Sequence, residues 1–155
     1  MEDRPHPTLT RHTPALAAAN RAGFLVMAAQ ASLANGPLQL KAAVQGFATD
    51  PALIRRLVDA AEDAGLTIVL NDHLDAEKGP GDGITVATFD GRETSVFGEA
   101  LGLDDIQAMW PRLPHAVEAI FPALQITLTN PEFGPSELLW DTLTAAAAVH
   151  TAPLS

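Results

Sequence analysis

A chain of 155 residues that is 47% hydrophobic is long enough to bury one sizeable core and too short for two ordinary domains. Nineteen acidic residues against nine basic ones give a net charge of -10, a field that repels phosphate backbones and anionic headgroups and argues against nucleic acid or membrane as partners. The absence of cysteine excludes disulfides and thiolate chemistry, and no apolar run has the length of a membrane span or the pattern of a secretion signal, so the expected location is cytoplasmic.

Residues 1–12 carry proline, charge and threonine without an apolar period and read as a flexible tail, with a second short tail at 151–155. Between them, residues 13–150 read as a single ligand-binding domain. Thr13-Pro14 has the form of a helix N-cap followed by a first-turn proline, and Gly23 suits the stop of that Ala-rich helix. Phe24 to Gln30 is a short apolar run that fits a buried strand. Leu38 to Phe47 reads as one further strand, because Leu38, Leu40, Ala42 and Val44 alternate with Gln39, Lys41 and Gln45. Asp50-Pro51 repeats the cap-plus-proline signal for a helix with Leu53, Leu57, Ala60 and Ala61 on one face and Gly65 at its end.

Leu66 to Leu70 predicts a third strand. Ile84 to Phe89, Asp90-Gly91 and Arg92 to Phe97 predict a hairpin, since Asp-Gly accepts the positive φ angles of a tight primed turn. Short helices over Leu103–Trp110 and Pro114–Ile120, a strand over Leu124–Leu128 and a final helix opened by Pro135-Ser136 complete an α+β (mixed α/β) fold. It has about six strands, including the hairpin at 84–97, and four to five helices.

Candidate chemistry is sparse. Asn71-Asp72-His73-Leu74-Asp75-Ala76-Glu77 gathers a histidine and three carboxylates after a strand, which suits either a general acid/base group at His73 or a solvated acidic loop. Arg92 and Glu93, after the hairpin turn, suit either orientation of a polar ligand or a cross-strand ion pair. His6, His12, His115 and His150 have no zinc-ligand spacing, and no metal site is expected.

Asn20-Arg21-Ala22-Gly23-Phe24-Leu25-Val26-Met27-Ala28-Ala29-Gln30-Ala31, Leu40-Lys41-Ala42-Ala43-Val44-Gln45-Gly46-Phe47, Ile84-Thr85-Val86-Ala87-Thr88-Phe89-Asp90-Gly91-Arg92-Glu93 and Leu139-Trp140 stand in one order along the chain. In that order they resemble the C-terminal regulatory domain of eukaryotic methylenetetrahydrofolate reductase, and a group of stand-alone actinobacterial proteins of similar plan. The resemblance implies a domain that binds S-adenosylmethionine or S-adenosylhomocysteine, with ligand positions at Val26, Ala28, Ala29, Gln30, Thr85, Arg92 and Glu93. It implies no folate reductase activity, because the flavin-bearing barrel has no counterpart in this sequence. A ligand-binding threonine of the family falls on Val26 and a serine on Ala29, while the threonine at Thr85 remains. Two lost hydroxyls would each remove roughly 0.5–1.5 kcal/mol of hydrogen bonding.

Three functions follow as expectations. The first is a stand-alone small-molecule-binding sensor or regulatory module, acting on a partner protein or as a homo-oligomer. The second is a small enzyme of specialised metabolism, an isomerase, cyclase or lyase without metal or flavin, whose candidate catalytic residues are Arg92, Glu93 and His73. The third is a protein-interaction module.

Overall fold

The Asp50-Pro51 signal becomes helix α2, Pro51–Ala64: Asp50 accepts a hydrogen bond from the Ala52 amide at 3.0 Å and Gly65 closes the helix with φ 80°. Its Leu53, Leu57 and Ala61 are buried at the spacing of one helical face. Full burial of each leucine contributes roughly 1.5–3 kcal/mol. The structure is a computed structural model, and it describes residues 12–72, 74–78, 81, 83–101, 108 and 123–151. Among these the other helices are α1, Thr13–Ala22, and α3, Leu138–Thr151. The strands are β1 Leu25–Gln30, β2 Leu33–Asn35, β3 Leu38–Leu40, β4 Ala43–Ala48, β5 Thr67–Asn71, β6 Ile84–Phe89, β7 Arg92–Phe97 and β8 Leu124–Thr129.

The fold is α+β, with two antiparallel four-stranded sheets. The first has the order β1-β4-β8-β5 and the second β2-β3-β6-β7. All three helices share one core with the first sheet, in which Phe24, Val44, Ile126 and Leu128 from the sheet side meet Leu53, Leu57, Leu139 and Leu143. Because side chains alternate along a strand, Gln45, Gln125, Thr127 and Thr129 fall on the opposite face of that sheet. The hairpin forms over the expected residues, with Asp90 at φ 54° and Gly91 at φ 79° in the turn.

Several expectations differ in detail. The single strand expected over Leu38–Phe47 is two strands, β3 and β4, in different sheets. The Lys41 amide donates to Val86 O at 2.8 Å in the second sheet, and Ala42 is buried at the break. The first helix takes His12, not Thr13, as its N-cap. His12 belongs to the packed fold and not to a tail: it is 7% exposed and its ring stacks on Trp140 at 4.4 Å and 14°. The last helix begins at Leu138, later than Pro135-Ser136, because Ser136 and Asn130 serve as caps outside it. Leu138 N donates to Ser136 Oγ and Leu139 N to Asn130 Oδ1. The helices expected over Leu103–Trp110 and Pro114–Ile120 lie outside the described residues, apart from helical Ala108.

Candidate functional site

β1 is an edge strand, and a bulge at Met27 between Val26 and Ala28 sorts its side chains. Val26 and Ala29 pack against the helical core. Ala28 is in register with Gln45 and Gln30 with Ala43, which puts them on the other face. There the Gln30 amide donates to Lys41 O at 2.8 Å and Val86 O at 2.9 Å, tying the two sheets together. Thr85 donates to Glu93 at 2.5 Å on the exposed side of the hairpin, and Arg92 is exposed at the start of β7. The seven ligand positions implied by the resemblance are therefore distributed over the helical core, the layer between the sheets and the hairpin surface. Of the candidate catalytic groups, His73 lies outside the described residues.

The best-organised polar cluster was not singled out from the sequence. Gln45 Oε1 accepts from the Gly98 amide at 2.8 Å and from the Thr127 hydroxyl at 2.9 Å, and its Nε2 donates to Met27 Sδ at 3.6 Å. Gln125 Nε2 donates to Glu99 O and its Oε1 accepts from Leu101 N, while Asn71 Nδ2 donates to Gly98 O. These amides join segment 98–101 to the face of the first sheet opposite the helices. Thr129 on the same face is fully buried, and its Oγ1 has no hydrogen-bond partner among the described residues. The sequence signal was the alternation of Gln125, Thr127 and Thr129 along β8, with Gln45 alone on β4.

The acidic loop closes on itself. Asp72 Oδ1 accepts from the amides of Leu74 and Asp75, and Asp72 N donates to Asp75 Oδ2, which nucleates a 3-10 turn over Asp75–Lys78. Among the described residues no three His, Cys, Asp or Glu side chains come together as metal ligands. Nor is any described helix long and apolar enough to cross a membrane.

A groove of about 680 Å³ runs along α2, lined by Pro51, Ile54, Arg55, Val58, Asp59, Glu62 and Leu124. The spacing of the six helical residues gives one stripe, beside the stripe that faces the core. Ile54, Val58 and Leu124 supply a half-buried apolar floor, and Arg55, Asp59 and Glu62 an exposed charged rim. None of the ligand positions implied by the resemblance lines it. A family model described as a domain of unknown function, DUF6919, matches residues 6–150. The chain belongs to the DUF6919 family. No curated protein matches it. The DUF6919 match begins before α1 and so takes in His12, which packs on Trp140.

Proposed function

We propose that this chain is a non-catalytic small-molecule-binding module, acting as a sensor or regulatory subunit, with the groove along α2 as its ligand site. The observation that carries the reading is the lining of that groove: an apolar floor beside a cation and two carboxylates, with no ion pair joining Arg55 to Asp59 or Glu62 among the described residues. Its volume falls in the range of about 300–1,000 Å³ usual for ligand sites. A ligand with an α-amino-acid group would set its carboxylate against the Arg55 guanidinium, which offers two parallel donors, and its ammonium beside Asp59 and Glu62. An adenosyl body would then lie over Ile54, Val58 and Leu124. S-adenosylmethionine and S-adenosylhomocysteine both have this form, an α-amino-acid group on an adenosyl body, and are the first ligands to test.

The charged rim is solvent-screened, so each ionic contact contributes no more than roughly 1 kcal/mol, and the apolar floor must supply much of the affinity. Isothermal titration of both compounds tests the reading. Saturable binding that Arg55→Ala and Ile54→Ala each weaken is the expected result. Absence of heat with either compound, or binding indifferent to both substitutions, overturns it.

A further inference from the structure

The register of the second sheet puts Leu33 opposite Leu40, and Leu40 opposite Ala87. The next row, on the same face, joins Asn35, Leu38, Phe89 and Arg92. At one end this face lies against the first sheet, since Ile84 and Thr127 flank the same point beside Gly98, and Ala87 is only 4% exposed. At the other end it runs out to solvent: Leu38 and Leu40 are half-buried and Phe89 is 53% exposed. A large exposed aromatic at the tip of a hairpin, beside two half-buried leucines of its own sheet face, makes one contiguous apolar strip and not a set of isolated side chains. The Asp90-Gly91 turn fixes its position, so little conformational freedom is lost when it is covered.

We propose that this face is where two copies of the chain associate, about a two-fold axis near Phe89. The argument for a second copy is the charge around that side chain. Asp90 follows it in the turn and Arg92 is its cross-strand neighbour, both exposed, while exposed Glu93 pairs with Thr88 on the other face, so the ring is flanked by one charge of each sign in a chain whose net charge is -10. A two-fold contact joins a patch to itself and requires a patch that is its own complement. Across such an axis the Arg92 of one copy faces the Asp90 of the other while the two Phe89 rings meet. A partner recognised by charge of one sign would be opposed by one of these two residues.

Sedimentation velocity on the full chain, from low to high micromolar protein, tests this. The expected result is a concentration-dependent dimer that Phe89→Glu converts to monomer. The melting temperature of that variant, measured below the dimer dissociation range, should stay unchanged, because the ring is mostly exposed in one copy. Arg92→Asp should raise the dissociation constant about tenfold or more, and Arg92→Lys should restore most of the loss. A wild-type monomer at every concentration overturns the proposal, whether or not the face binds some other protein. A dimer that survives both Phe89→Glu and Arg92→Asp overturns it as well.

Discussion

Replacing Gln45 by leucine keeps the volume of a buried side chain and removes the acceptor that two buried donors share. The Gly98 amide and the Thr127 hydroxyl lie 2.8 and 2.9 Å from Gln45 Oε1, and both residues are buried. A buried donor left without a partner costs roughly 1–3 kcal/mol. The Thr127 hydroxyl can rotate and the Gly98 amide cannot, so the backbone group should account for most of the effect, and we expect a total of about 2–4 kcal/mol. In a domain of this size each kcal/mol lowers Tm by roughly 2–4 °C, so the variant should melt about 4–16 °C below the wild type. Thr127→Val removes one donor and leaves Gln45 bonded to Gly98, and should cost only about 0.5–1.5 kcal/mol. The assay is thermal and urea unfolding of both single variants and the double variant, with hydrogen exchange at the Gly98 amide as the local readout. The double variant should cost less than the sum of the singles, because they share one bond. If Gln45→Leu melts within a degree or so of the wild type and Gly98 exchanges no faster, the amide layer does not hold segment 98–101 to the first sheet as described.

Gly46 faces Val26 at the β1 bulge, and a Cβ there would collide with Leu25 O and sit 2.9 Å from Val26 Cα. Gly46→Ala should therefore destabilise by about 1–3 kcal/mol or more, read by urea unfolding, because backbone cannot move aside as a side chain can. Val26→Thr and Ala29→Ser return the hydroxyls implied by the resemblance to positions that pack on the helical core. Calorimetric melting should show a loss of about 1–3 kcal/mol each, and titration no gain in adenosyl affinity; a tighter complex would refute that placement. Asp50→Ala removes the side-chain cap of α2 and should cost about 0.5–2 kcal/mol in thermal unfolding.

Local chemistry made α2 and the β6–β7 hairpin legible in the sequence. A capping aspartate, a first-turn proline, a left-handed glycine and an Asp-Gly turn each act within a few residues. The break between β3 and β4 was not legible, because Leu38, Leu40, Ala42 and Val44 keep an alternating period through it. What divides the strand is a change of partner far along the chain: Lys41 N still bonds to Val86 of β6, whereas Ala42 O accepts from Asn130 N and Ala43 pairs with β1 and β8. His12 reads as tail by composition, and its place in the fold depends on partners distant in sequence, Trp140 beneath its ring and Glu137 beside it. Gln45 and Gln125 look like the solvent side of a strand until segment 98–101 covers that face. The α2 groove was hidden for a related reason: Arg55, Asp59 and Glu62 have the pattern of any solvated helix face, and Leu124 joins them only through tertiary packing.

The most direct test of the ligand-binding account is isothermal titration of the purified chain with S-adenosylmethionine and S-adenosylhomocysteine, alongside its Arg55→Ala variant. The account predicts saturable binding, with stabilisation of roughly 2.7 kcal/mol at about one hundred times the dissociation constant, and clear weakening in the variant. No binding of either compound, or equal binding by the variant, would contradict it.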